Sequence, residues 1–200
     1  MSQTLILGTT NTGKLRELVE LLEPHGIACR SLAGLTDAVA VEETGTTFAE
    51  NAALKAALQA KALGSWVLAE DSGLVVPALN GDPGIYSARF SGPDATDIAN
   101  NALLLERLRT IAGHRRAAHY ACHAALADPS GAIVATSSGT CGGIIAAEPS
   151  GAGGFGYDPL FIVAEYHRTF GELSAAVKAV ISHRARAMRA MLPAILRHLG

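Results

Sequence analysis

The sequence predicts an α/β fold with a mixed β-sheet. A short apolar run leads through a polar glycine loop into an amphipathic helical pattern, and apolar runs of strand length then alternate with further helical patterns. No linker, low-complexity tract or solenoid-length repeat interrupts the alternation, so residues 1–200 are expected to form a single domain. A hydrophobic content of 49% against 17% charge supplies enough apolar side chain for a substantial core.

Residues 4–7 are the first expected strand. After Gly8, Thr9, Thr10, Asn11, Thr12 and Gly13 a helical stripe of Leu15, Leu18, Val19 and Leu22 begins. Pro24, His25 and Gly26 stop it, and residues 27–32 return as a strand. Thr47 and Glu50 have capping-box spacing, in which hydroxyl and carboxylate satisfy the first free amides reciprocally; a helix is expected from there to Leu63. Residues 66–69 and 74–79 read as two strands around the polar knot Glu70, Asp71, Ser72 and Gly73, followed by a loop over 80–84. A third helix is expected from a cap at Asp94 to about Ile111, on the stripe Ile98, Leu104, Leu105 and Leu108. Residues 117–127 and 132–138 flank the turn Asp128-Pro129-Ser130-Gly131 as a hairpin. Glu148-Pro149-Ser150-Gly151 repeats that turn chemistry and opens a glycine-rich loop through Gly156. A strand at 160–163 then precedes helical sequence over 173–199, interrupted at Ser182 and bent at Pro193.

Composition excludes several classes. A formal net charge of -2, spread along the chain without a basic tail, lacks the electrostatic footprint that nucleic acid demands, so no nucleic-acid partner is expected. No apolar run reaches the ~20 residues that span a bilayer, and Met1 lacks the charged start of a signal peptide, so a cytoplasmic protein with no membrane partner is expected. Cys29, Cys122 and Cys141 are far apart and in no CxxC spacing, which fits small buried residues rather than a disulfide framework.

Four segments carry candidate chemistry. A strand that delivers Thr9 to Lys14 to a helix start points free backbone amides at whatever sits there, and phosphate is the natural guest. Gly8 to Lys14 matches the first seven positions of a P-loop, but Leu15 stands where a hydroxyl would hold magnesium. A P-loop-like NTPase releasing orthophosphate is therefore the alternative, beside a plain capped turn and a non-catalytic nucleotide-binding module. Second, Glu42-Glu43 and Glu70-Asp71 each end an apolar run; two such pairs brought close call for a divalent cation such as Mg2+, which takes hard oxygen ligands and keeps several waters, one of them a candidate nucleophile. Third, Phe155, carried among glycines before Tyr157 and Asp158, can stack on a flat base. Fourth, Lys178, His183 and Arg184 cluster near a helix start where cations reach an anion or a carbonyl edge. His119, Cys122 and His123 alternate as in a strand, which argues against a metal site, and no G-x-S-x-G elbow is present.

Six motifs in order, Thr9 to Lys14, Glu42-Glu43-Thr44-Gly45 with Phe48, Glu50-Asn51-Ala52 and Lys55, Glu70 to Leu74, Pro83 to Phe90, Gly153 to Pro159, and Ser182-His183-Arg184, resemble the inosine/xanthosine triphosphate pyrophosphatase family. The resemblance implies a two-lobed α/β fold with a long mixed sheet flanked by helices, a nucleotide cleft between the lobes, and a homodimer. It implies a purine nucleoside triphosphate substrate, ITP, dITP or XTP, cleaved to the monophosphate and pyrophosphate. On that resemblance Thr9, Thr10, Asn11, Thr12, Gly13 and Lys14 cradle the phosphates, Lys14 and Lys55 offset their charge, and Ser72 contacts substrate. Glu42 and Asp71 hold Mg2+, and Asp71 is also the catalytic base. Phe155 stacks on the base, Gly156, Tyr157 and Asp158 complete its pocket, and Lys178, His183 and Arg184 reach the base edge. Thr10 stands where the family commonly has glycine or another small polar residue.

Overall fold

The computed structural model describes residues 4–200, so the plain start expected at Met1 lies outside the described residues. The first strand, β1 (Leu5–Leu7), is buried along its whole length and delivers the chain to α1 (Thr12–Leu22). This helix starts three residues earlier than its apolar stripe suggests. Asn11 caps it, its side chain accepting from the Lys14 amide at 3.0 Å, so the glycine loop's last residues are the helix's first turn. A short 3-10 turn over Glu23–His25 precedes β2 (Cys29–Ser31). The capping box forms as expected at α2 (Phe48–Leu63): Glu50 N donates to Thr47 Oγ1 and Thr47 N to Glu50 Oε2, both at 3.2 Å. Gly64, in the left-handed region at φ +56°, ends that helix.

The two strands expected around the polar knot are one continuous strand, β3 (Val67–Val75). Its neighbours in the sheet pair its backbone on both sides, so ionised residues need not break it provided their carboxylates find cations. Pro77, with no amide to donate, stops it, and Pro77–Leu79 is a 3-10 turn rather than strand. A second 3-10 segment, Gly84–Arg89, was unforeseen. The third helix, α3 (Asp97–Arg107), is capped by Thr96 rather than Asp94, with Ala99 N donating to Thr96 Oγ1 at 3.1 Å. Its buried face is Asn100, Leu104 and Leu108, a repeat of four that leaves Ile98 83% exposed.

The hairpin strands are β4 (Ala117–Ala127) and β5 (Ile133–Ile145), the second running well past its expected end. After β6 (Phe161–Val163) comes an unforeseen two-residue strand, β7 (Arg168–Thr169). The last helical stretch divides at Ser182 as expected into α4 (Ala175–Ile181) and α5 (His183–Leu199), with Pro193 inside the latter. The sheet is seven-stranded in the order β2-β1-β3-β4-β5-β6-β7. It is mixed, as expected: β1 is parallel to β2 and β3, whereas β6 is antiparallel to β5 and β7.

The chain separates into two compact units. The first gathers the residues through Asp71 with Cys122–Gly139 and Arg184–Gly200; its core packs Leu5, Leu7, Leu18, Leu68, Leu126, Met188 and Ile195. The second comprises Ser72–Ala121 and Thr140–His183, around Leu74, Leu104, Leu108, Tyr120, Phe161 and Phe170. Each buried leucine of this kind contributes ~2 kcal/mol, so each unit has an apolar centre of its own. All three cysteines are free, and among the described residues no helix is long and apolar enough to cross a membrane.

Candidate functional site

The first unit assembles charge. Asp71, 5% exposed in β3, is held at both oxygens: Asn51 Nδ2 donates to Oδ2 and Lys55 Nζ to Oδ1, each at 3.2 Å. Asn51 and Lys55 are four residues apart on α2, so one helix face delivers both donors. The Asn51 amide is oriented in turn by Gly45 N, which donates to its Oδ1 at 2.8 Å. The same Lys55 ammonium reaches Glu43 Oε1 at 2.6 Å and so bridges two carboxylates. Burial pulls the Lys55 pKa down, but the charge of Asp71 and the contacts with Glu43 more than offset it, leaving it above the ordinary lysine value of 10.5.

Glu70, beside Asp71 on the strand but 1% exposed, meets a different pair of cations. Lys14 Nζ lies 3.2 Å from its Oε1, and the Arg184 guanidinium approaches the same oxygen at 3.2 Å while also pairing with Glu17. Arg184 is fully buried; desolvation opposes its charge, yet Glu70 and Glu17 raise its pKa overall. A buried guanidinium with two carboxylates is compensated, where one left alone would be costly. Burial pushes the Cys122 thiol, 3.5 Å from Glu70, well above its usual pKa, so it stays protonated.

Beside these charges the turn after β1 is shaped by its own side chains. Asn11 N donates to Thr9 Oγ1 at 3.2 Å, Thr10, Asn11 and Thr12 are exposed, and Gly13 and Lys14 belong to α1. Leu15 packs against the first unit's core, so the position that would carry a P-loop hydroxyl is committed to apolar contact.

The second unit assembles an aromatic platform. Phe155 lies with its ring centroid 4.8 Å from Lys178 Nζ, a cation–π arrangement, and Lys178 is ion-paired with the buried Asp158. Asp158 also accepts from Phe155 N at 2.9 Å, which folds the loop back on itself. Gly154 makes this possible: at φ +74° it adopts a left-handed conformation, and a Cβ there would lie 1.9 Å from Asp158 Oδ2. Tyr157 is buried and donates to the Ser87 carbonyl at 2.8 Å; burial and the charge of Asp97 raise its pKa, so the phenol remains a donor. The His183 ring stacks on Tyr120 at 4.6 Å, and the Tyr120 hydroxyl donates to Asp158 Oδ1 at 3.4 Å.

The expected residues thus fall into two sets. Thr9 to Lys14, Lys55, Asp71 and Arg184 lie in the first unit; Ser72, half-buried in β3, Phe155, Gly156, Tyr157, Asp158, Lys178 and His183 lie in the second. Two placements show pairings that the sequence did not reveal. It is Glu43 that Lys55 gathers to Asp71, while Glu42 is exposed and its side chain makes no hydrogen bond or ion pair among the described residues. The guanidinium of Arg184, expected at a base edge, is ion-paired with Glu17 and Glu70. Glu70 was read with Asp71 as an acidic pair and Asn51 only as part of a motif, and neither was given a partner or a role of its own. The four-residue spacing of Asn51 and Lys55 on a capped helix was the available signal for the first; nothing in the sequence marks Lys14 and Arg184 as converging on the second.

The carboxylates suit a hard divalent cation. Asp71 and Glu43 already share one cation, the Lys55 ammonium, and magnesium is commonly held by one or two protein carboxylates with substrate phosphates and waters completing its shell. Among the described residues no cluster of three or more His, Cys, Asp or Glu side chains is arranged as an all-protein cage, and His119, Cys122 and His123 lie along β4 as the alternation suggested.

Fold and site define an α/β protein with an amide turn, lysines and buried carboxylates in one unit and an aromatic glycine loop over a lysine–aspartate pair in the other. The chain belongs to the Ham1 family, whose model matches residues 5–194, and the resemblance read from its motifs is borne out. It is 52% identical over 193 residues to the dITP/XTP pyrophosphatase of Rhodopirellula baltica, covering 96% of this chain and 93% of the relative. With the dITP/XTP pyrophosphatase of an Exiguobacterium species it shares 52% identity over 92% of this chain and 93% of that one. The solved structure of a HAM1 protein from Coxiella burnetii matches with a TM-score of 0.87 at 38% identity, over 98% of this chain and 99% of that chain.

Proposed function

We propose that this chain is a hydrolase that cleaves deaminated purine nucleoside triphosphates, of the ITP, dITP and XTP class, to the monophosphate and pyrophosphate. Relatives bearing the name dITP/XTP pyrophosphatase over nearly the whole chain support the reaction. The observation that carries the chemistry is Asp71, a buried carboxylate held by Asn51 and Lys55 with Glu43 on the same ammonium.

A triphosphate carries nearly four negative charges, and unit charges 4 Å apart still interact by about 4 kcal/mol at the effective dielectric near a protein surface. Lys14 and Lys55 offset that charge, and the amides at the start of α1 donate to phosphate oxygens. Magnesium, held by Asp71 and Glu43, would supply further charge neutralisation and lower the pKa of water. Asp71 takes the proton of the attacking water; each of its oxygens keeps a lone pair beyond the one given to Asn51 or Lys55. The water oxygen bonds to phosphorus as the anhydride bond on its far side breaks, and pyrophosphate departs with its charge met by Lys14. A P-loop-like mechanism is not favoured, since Leu15 offers no hydroxyl and packs against the core. A pure binder would gain little from added negative charge beside a phosphate turn.

Phe155 stacks on the base. Its 6-oxo group, in hypoxanthine and xanthine, accepts hydrogen bonds from His183, Lys178 and loop amides; adenine presents an amino donor there instead. Such a buried mismatch costs ~1 to 3 kcal/mol, or about tenfold to a hundredfold for one contact. The homodimer that the resemblance implies belongs to the same proposal, as do the cytoplasmic location and the absence of nucleic-acid and membrane partners expected from charge and hydropathy. Initial rates on ITP, XTP, GTP and ATP, with magnesium and with chelator, test it. ITP and XTP should be cleaved at least tenfold faster than ATP, with magnesium required; equal rates on ATP would remove the specificity, and undiminished rates in chelator the metal.

A further inference from the structure

The loop that carries Phe155 is gripped by α3. Asp97, the first residue of that helix, accepts through Oδ2 from Gly156 N at 2.6 Å. Asn101, four residues on, donates through Nδ2 to the Gly156 carbonyl at 3.0 Å. Residues four apart share a helix face, so one face holds both polar groups of a single backbone residue. The orientation of the Asn101 amide is fixed, since the flipped form would set oxygen against oxygen. Its Oδ1 is buried without a hydrogen-bond partner among the described residues.

Gly156 is left-handed at φ +62°, yet nothing lies within 4 Å of where its Cβ would be. The site therefore enforces a backbone direction rather than excluding a side chain. That direction matters because Phe155 N is fixed from the other side by Asp158 at 2.9 Å. With both flanking peptide groups held, the backbone from which the Phe155 ring projects is fixed, and the ring lies with its centroid 4.8 Å from Lys178 Nζ.

We propose that Asp97 and Asn101 are positioning residues that hold the Gly156 peptide groups, aim the Phe155 ring and thereby set affinity for the base. This rests on the reading of Phe155 as the surface on which the base stacks. Neither residue touches the triphosphate chemistry, so their loss acts on binding and not on turnover.

The test combines steady-state kinetics on ITP with calorimetric titration of inosine monophosphate, on wild type and on Asp97→Ala, Asp97→Asn, Asn101→Ala and Phe155→Ala. Each clamp alanine should raise KM and the monophosphate Kd about tenfold, with kcat within about twofold of wild type. Asp97→Asn keeps an acceptor oxygen for Gly156 N and should return both constants to within about twofold. A merely structural loss would lower the active fraction and kcat without that rescue. Should an alanine variant fail to fold, the near-isosteric Asn101→Asp, which turns a carboxylate toward the Gly156 carbonyl, should weaken monophosphate binding at least as much. KM and Kd unchanged in the clamp variants while Phe155→Ala weakens binding overturns the clamp alone. Unchanged affinity in Phe155→Ala overturns the stacking surface, and the clamp's purpose with it.

Discussion

The two units hold their candidate residues in place by different means. In the first, side chain holds side chain: Lys55 lies between Glu43 and Asp71, and Glu70 lies between Lys14 and Arg184. In the second, apart from the contacts of Lys178 and Tyr120 with Asp158, side chains hold backbone: Asp158 takes Phe155 N, Asp97 and Asn101 take Gly156, and Tyr157 takes the Ser87 carbonyl. Paired charges set a local field that acts on proton transfer, and that field changes most when one charge is removed. A side chain gripping backbone fixes shape, and a change there alters what fits. The comparison teaches that substitutions in the first unit should act on kcat and those in the second on KM.

The sharpest separation is expected from Asp71→Asn, which keeps the oxygen facing Lys55 but cannot take a proton. Turnover of ITP should fall by about a thousandfold, within the range for loss of a general base, while thermal unfolding stays within a few degrees of wild type. Near-normal kcat would move the base elsewhere. Next comes Gly154→Ala in the second unit. Its Cβ would lie 1.9 Å from Asp158 Oδ2 in a left-handed backbone; the displaced carboxylate should weaken binding of inosine monophosphate by about thirtyfold, or ~2 kcal/mol. Phe155→Ala should raise KM for ITP about tenfold with kcat within about threefold, the scale of a lost base–aromatic stack. A kcat effect larger than the KM effect in either second-unit variant would break the comparison.

The smallest effect concerns pH. Lys55 has a folded pKa above its ordinary 10.5, so the stability it contributes is fully present below that value and is lost as pH rises through the raised folded pKa. Urea unfolding of wild type should show no loss from this group between pH 7 and 10. Lys55→Met should be less stable at pH 8 by about 1 to 3 kcal/mol and should lack the alkaline component above the ordinary lysine value. Identical alkaline limbs in the two proteins would dissociate Lys55 from the carboxylates it bridges.

Local signals carried far in the sequence. Thr47 and Glu50 fixed the start of α2 because a capping box satisfies its own amides, and Ser182 parted α4 from α5 where expected. The failures have a common cause in tertiary pairing. Glu70 and Asp71 looked like a turn because two adjacent acids rarely sit inside a strand; here cations from α1, α2 and α5 compensate them. Thr96 displaced Asp94 as the cap of α3, and the Ile98 stripe gave way to one built on Asn100, a polar residue bound to Ser91. At the candidate site the residue types were legible and their pairings were not. Glu43 and Glu42 are indistinguishable as neighbours in sequence, and only Lys55 reaching one of them separates their readings. The grip of Asp97 and Asn101 on Gly156 spans more than fifty residues of chain and left no local trace.

The central claim is that water cuts the anhydride that frees pyrophosphate. Phosphorus-31 NMR of ITP incubated with the chain and magnesium tests it most directly. Inosine monophosphate and pyrophosphate should grow together in equal amounts, with no orthophosphate; inosine diphosphate growing with orthophosphate would contradict the account.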